Sequence, residues 1–118
     1  MVTPVTNRLL PNIKVWVRDL TPHVIVVGDP QRVRDTASLM TGVCEIGNNR
    51  EYLTITGTYR GLRMTVASHG VGAGGANVCF MELLQGGARL FIRAGTCGAL
   101  APEIDDGDLM AATSAPGA

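Results

Sequence analysis

The sequence predicts an α/β fold, and three observations carry that expectation. Short apolar runs such as Val24-Ile25-Val26-Val27 and Leu90-Phe91-Ile92 alternate with segments of helical periodicity. Glycine-rich stretches begin where apolar runs end, at Gly28, at Gly70-Val71-Gly72 and at Gly95-Thr96-Cys97-Gly98. At the first of these junctions, Asp29-Pro30 supplies an N-cap and a first helical residue in the order that starts a helix.

Bulk properties narrow the function classes. With 118 residues, of which 46% are hydrophobic and 17% charged, the chain is long enough to bury one core and too apolar for disorder. Ten basic and ten acidic residues cancel, so no net field favours nucleic acid or an anionic membrane, and any anion site must be local. Cys44, Cys79 and Cys97 lie far apart and form no CxxC pair, which argues against zinc or a disulfide framework and fits a reducing, cytoplasmic compartment. No apolar run approaches the roughly 20 residues of a membrane span, and no secretory leader is expected. The fifteen glycines are the compositional outlier; they mark loops that pass close to something.

Taken in order, residues 1–12 read as an irregular arm with two prolines, and Lys14 to Leu20 as either a short helix or a strand, broken by Thr21-Pro22. Val24–Val27 is a buried strand. The helix opened by Asp29-Pro30 carries Val33, Ala37 and Met40 on one face and runs to about Met40. Val43 to Ile46 is a short strand and Asn48-Asn49-Arg50-Glu51 a polar loop. Leu53–Tyr59 and Leu62–Ser68 form a hairpin turning at Arg60-Gly61. Ala76, Cys79, Phe80, Leu83 and Leu84 make the clearest helical stripe, closed by Gly86-Gly87, and Cys79 reads as core rather than reactive. Leu90–Arg93 is the next strand. After a solvated acidic loop (Glu103, Asp105, Asp106), Asp108–Thr113 is expected to be the last.

The chemistry gathers at the strand ends. Gly28 ends a strand just before a helix, where free N–H groups and the helix dipole favour anions. Arg32 lies in that helix's first turn, where the dipole disfavours a cation, so it reads either as a ligand group or as an exposed surface charge. Arg93 closes a core strand and needs an anion or a carboxylate partner. If these strands lie side by side, Arg32, Arg93 and the Thr96 hydroxyl surround one small dianion. Arg50, taken locally, reads as a loop charge beside Glu51. Gly70, Gly72 and Gly75 also satisfy G-x-G-x-x-G, which keeps a dinucleotide site open.

Five segments occur in a telling order: Val-Val-Gly-Asp-Pro-x-Arg-Val at Val26–Val33, Asn-Arg-Glu-Tyr at Asn49–Tyr52, Ser-His-Gly-Val-Gly at Ser68–Gly72, Val-Cys-Phe-x-Glu-Leu at Val78–Leu83, and Arg-Ala-Gly-Thr-Cys-Gly-x-Leu at Arg93–Leu100. This series resembles the nucleoside phosphorylase-I family of hexameric purine nucleoside phosphorylases and uridine phosphorylases, most of all the protozoan-parasite purine enzymes. The resemblance runs from about Leu10 to about Ala112. It implies a nucleoside phosphorylase fold, a central mixed β-sheet flanked by helices, with residues 1–118 forming only the N-terminal half of a single domain.

The resemblance also implies roles. Gly28 and Arg32 match the first phosphate contacts, and Arg93 and Thr96 the second set. Arg50 matches an arginine that reaches phosphate in a neighbouring subunit's site. Val71 matches an apolar contact near the ribose; Cys97 and Gly98 match the wall beside the base. His69 has no catalytic counterpart and is expected to be a hydrogen-bonded structural histidine. The family's arm carries a histidine that touches the neighbour's ribose, and Asn12 stands at that position here. The implied reaction is reversible phosphorolysis of a purine nucleoside, or of uridine, to free base and ribose 1-phosphate in nucleoside salvage. Inorganic phosphate is the co-substrate, no metal or organic cofactor takes part, and the assembly is a dimer-based hexamer. The residues that grip ribose and base belong to the half beyond this sequence. Two other readings follow: an inactive fragment or binding module, and a nucleosidase of the same fold, against which Arg32 and Arg93 speak because water needs no arginine clamp.

Overall fold

The β-branched run at Val24–Val27 occupies the place a doubly covered strand requires. In the computed structural model, which describes residues 6–117, it forms β1 (His23–Val27). The rest of the chain adds α1 (Pro30–Ala37), β2 (Thr41–Asn49), β3 (Tyr52–Tyr59), β4 (Leu62–Ser68), α2 (Ala73–Gln85) and β5 (Leu90–Arg93). The five strands form one mixed sheet in the order β2-β3-β4-β1-β5. β1 pairs in parallel with β4 on one side and β5 on the other, while β2-β3 and β3-β4 are antiparallel.

Period-2 alternation sends side chains to two cores. On one face Val24, Val26 and Ala67 meet Cys79 and Leu83 of α2, together with Leu10, Ile13 and Val15 of the amino-terminal arm. On the other, Val27, Leu53, Ile55 and Val66 meet Val33, Ala37 and Met40 from α1 and the turn after it. The sheet is therefore covered by helix on both faces, as expected of this fold class. Among the described residues no helix is long and apolar enough to cross a membrane.

Local chemistry explains where the elements begin and end. Asp29 caps α1 by accepting the Gln31 N–H at 2.8 Å, with Pro30 as first residue. The helix stops at Ala37 rather than Met40. Leu39 and Met40 donate instead to Thr36 and Ala37 at 3.1 and 3.0 Å, a tighter i→i−3 winding that still buries Met40. The β3–β4 hairpin turns at Arg60-Gly61, where φ is +49° and +82°, the left-handed pair that matches strand twist. Gly86 caps α2.

Other boundaries depart from expectation. β2 extends over Thr41–Asn49 and absorbs Asn48 and Asn49, because pairing with β3 satisfies backbone groups whatever the side chains. The loop shrinks to Arg50-Glu51, with Arg50 at φ +53°. α2 begins at Ala73, before its apolar stripe does. Between Lys14 and Leu20 only Val17–Asp19 is regular, as one 3₁₀ turn. Asp108–Thr113 is not a strand: it has no strand neighbour, and Leu109 is fully exposed. An apolar run without a partner to pair with gains nothing from extending. Of the irregular arm, residues 1–5 lie outside the described residues.

The arm is fastened by a group that apolar periodicity does not reveal. Glu82 is buried in α2, and its carboxylate accepts the Asn12 N–H at 2.6 Å and the Ile13 N–H at 3.3 Å. The Asn49 amide donates to the Asn12 carbonyl at 2.7 Å, so α2 and β2 hold the same peptide from both sides. Replacing Glu82 by Ala strands these donors. Hydrogen bonds to charged groups contribute about 1.5–3 kcal/mol, so urea unfolding of Glu82→Ala is expected to show a loss of roughly 2 kcal/mol.

Candidate functional site

Since β1, β4 and β5 run parallel, the loops leaving their carboxyl ends reach the same edge of the sheet. The ladder continues past the strands: His69 donates to the Val27 carbonyl at 2.8 Å, Gly70 to Gly28 at 3.1 Å, and Ala94 to Val26 at 3.0 Å. β3 is antiparallel, so its amino end brings the Arg50-Glu51 turn to that edge as well. Ser68 pins this turn by donating to the Glu51 carbonyl at 2.6 Å while accepting the Leu53 N–H at 2.8 Å.

Between these loops lies an open cleft of about 400 Å³. Arg32 and Arg93 reach it from α1 and β5, and Gly28, Gly70, Val71, Gly95 and Thr96 share its lining. A Cβ at Gly28 would meet only His69 Cε1 at 3.8 Å, so the protein itself has room for a side chain there; glycine keeps the cleft open. Gly70 is a different case. Its φ is +74°, and a side chain would collide with that of Glu51.

Electrostatics give the cleft its character. Among the described residues the ion pairs are Arg18–Asp19 and Arg34–Glu45, and neither Arg32 nor Arg93 has a carboxylate partner. The Asp29 carboxylate is occupied in capping α1. That cap also takes up the Gln31 amide, Pro30 has no N–H, and the Arg32 amide donates to the Asp29 carbonyl at 3.0 Å. α1 therefore offers the cleft its Arg32 side chain rather than free backbone amides. The Arg93 Nε–H donates to His69 Nε2 at 3.1 Å, which leaves both Nη groups without a protein partner among the described residues. Two guanidinium groups and a hydroxyl beside glycines suit a small tetrahedral dianion, with the Glu51 carboxylate also in the lining.

Of the residues singled out in the sequence, the structure gathers Gly28, Arg32, Val71, Arg93 and Thr96 around one cleft. It does not bring Asn12, Arg50, Cys97 or Gly98 into the lining. Arg50 is exposed in its turn, Asn12 belongs to the arm held by Glu82, and Cys97 and Gly98 lie in an exposed, irregular segment. Glu51 lines the cleft instead of pairing with Arg50, a placement that sequence reasoning missed. The available signal was its place in a two-residue turn at the amino end of a strand antiparallel to β4.

The three cysteines separate as their environments dictate. Cys79 is fully buried and donates to the Ser68 carbonyl at 3.7 Å. Burial, reinforced by the charges of Glu82 and Glu51, pushes its thiol up to about 12. Cys44 and Cys97 are exposed. Iodoacetamide at pH 8 is expected to alkylate Cys44 and Cys97 in the folded chain and to spare Cys79 until denaturant is added, as peptide mass mapping would read directly.

Comparison with known proteins gives a consistent picture. Residues 22–116 match the family described as the Phosphorylase superfamily. The chain is 42% identical over 98 residues to the purine nucleoside phosphorylase of Plasmodium falciparum, covering 83% of this chain and 40% of that one. Among solved structures, it is similar to uridine phosphorylase from Vibrio fischeri (TM-score 0.79, 38% identity, 81% of this chain and 40% of that one). It is equally similar to purine nucleoside phosphorylase from Toxoplasma gondii in complex with immucillin-H (TM-score 0.78, 38% identity, 87% and 40%). The chain thus spans about 40% of the length of these relatives.

Proposed function

The chain belongs to the phosphorylase superfamily, and from that premise we propose that its cleft is the phosphate-holding part of a nucleoside phosphorylase. The single observation that carries this reading is the pair Arg32 and Arg93, which face one cleft with no carboxylate partner among the described residues. Thr96 adds a hydroxyl, and Gly28 and Gly70 leave room for the anion's oxygens.

In this reading the reaction is reversible phosphorolysis of a purine nucleoside, or of uridine, in nucleoside salvage. A phosphate oxygen forms a bond to C1′ of the ribose as the bond from C1′ to the base breaks, and the base departs with the electron pair. Charge develops on the sugar as an oxocarbenium ion. The contribution of this part of the fold is to hold the nucleophilic dianion in place, which is positioning and electrostatics rather than acid–base chemistry. Inorganic phosphate is the co-substrate and no organic cofactor or metal takes part.

Val71, exposed in the lining, supplies an apolar contact for the ribose, and Cys97 and Gly98 a wall for the base. Arg50 and Asn12 do not line the chain's own cleft and act in the site of a neighbouring subunit, within a dimer-based hexamer in the cytoplasm. The ribose- and base-gripping groups come from the part of the fold that relatives possess beyond the length matched here. A nucleosidase, which uses water, gives Arg32 and Arg93 no task.

The test is phosphate-dependent stabilisation. Inorganic phosphate is expected to raise the thermal midpoint of the parent chain. Removing a charge-assisted contact worth about 1.5–3 kcal/mol predicts that Arg93→Ala binds phosphate roughly 10- to 100-fold more weakly. Equal protection of parent and variant would refute the assignment.

A further inference from the structure

His69 lies beneath the cleft, only 6% exposed, and the phosphate reading gives it no part. We propose that His69 is a positioning residue that fixes how Arg93 presents its guanidinium to the anion. The proposal rests on the phosphate reading of the cleft for its functional consequence, and on geometry for the arrangement itself.

The geometry sets the tautomer. His69 Nδ1 is 2.8 Å from the Gly70 carbonyl oxygen, which can only accept, so the proton sits on Nδ1. His69 Nε2 is 3.1 Å from Arg93 Nε, which can only donate, so Nε2 presents its lone pair. Both partners demand the same neutral imidazole. A protonated ring would turn a second N–H against the arginine.

The ring is held as firmly as it holds. Phe80 of α2 meets it edge-on, with centroids 5.6 Å apart and planes at 66°, and Phe80 in turn meets Phe91 at 6.1 Å. On the Cε1 side, a Cβ added at Gly28 would come to 3.8 Å from the ring. Anchoring Nε aims the rest of the guanidinium away from the ring. Its terminal nitrogens lie over Gly95, where any side chain would collide with them. The two Nη groups then remain as a fork for two oxygens of a tetrahedral anion, the bidentate arrangement that favours arginine over lysine. An untethered arginine would pay rotamer entropy each time it bound.

Two measurements on the full chain test this. The first is the imidazole ¹⁵N spectrum of His69 without phosphate. The expected result is a protonated Nδ1, an unprotonated hydrogen-bonded Nε2, and a shift of Nε2 on Arg93→Ala. An Nε2–H tautomer, or no response to Arg93→Ala, overturns the proposal whether or not phosphate binds. The second is calorimetric titration with inorganic phosphate. His69→Phe, which keeps the bulk and loses the acceptor, is expected to weaken binding about tenfold, whereas His69→Gln, whose carbonyl can replace Nε2, stays within about threefold of the parent. A folded His69→Phe chain that binds like the parent, or a His69→Gln chain no better than His69→Phe, contradicts the proposal. Absence of binding in the parent itself contradicts the phosphate reading, and the tautomer then decides the geometry alone.

Discussion

Parallel pairing of β1 on both of its sides is the constraint from which the site follows. A strand bonded to β4 and β5 in the same direction brings three carboxyl ends to one edge, and the chain must leave each through a turn there. Glycines at 28, 70 and 95 make those turns shallow enough to leave a cleft. The energetic basis of this arrangement is the double burial of β1. Val24 and Val26 pack toward α2 and Val27 toward α1, so shifting the register by one residue would exchange the two cores.

Within the cleft, the polar groups divide into those already satisfied and those left free. Asp29 is engaged in its cap, Ser68 in the Glu51 turn and His69 between Gly70 and Arg93. Among the described residues, the charged lining groups left without a partner are the side chain of Arg32, the two terminal nitrogens of Arg93 and the carboxylate of Glu51. A protein of zero formal net charge thereby brings two guanidinium groups without an ion-pair partner to one opening, beside the carboxylate of Glu51. Glu82 is a buried carboxylate accommodated because backbone amides of the arm donate to it.

Much of this was legible in the sequence, and the reasons differ by element. Asp29-Pro30 announces a helix start because capping is local chemistry, and Arg60-Gly61 announces a hairpin because its turn needs left-handed backbone. Arg32, Arg93 and Thr96 could be named together since Arg93 closes a strand and Arg32 and Thr96 each follow one within a few residues. What escaped depends on partners distant in sequence. β2 is longer than its side chains suggest because β3 completes its ladder, and Asp108–Thr113 fails to become a strand because nothing pairs with it. Glu51 in the cleft, Glu82 beneath the arm and the His69–Arg93 bond join residues that only the sheet brings together. The G-x-G-x-x-G pattern does lie between a strand and a helix, yet its Gly70 shares the cleft with Arg93, as an anion site requires.

The most direct test of the central claim is to titrate inorganic phosphate into the ¹⁵N-labelled chain and follow backbone amides and arginine Nε–H groups. Saturable shifts are expected at Gly28, Gly70, Gly95 and Thr96 and at the Nε–H groups of Arg32 and Arg93. Shifts scattered over the surface, or concentrated on α1 residues away from the cleft, would contradict it.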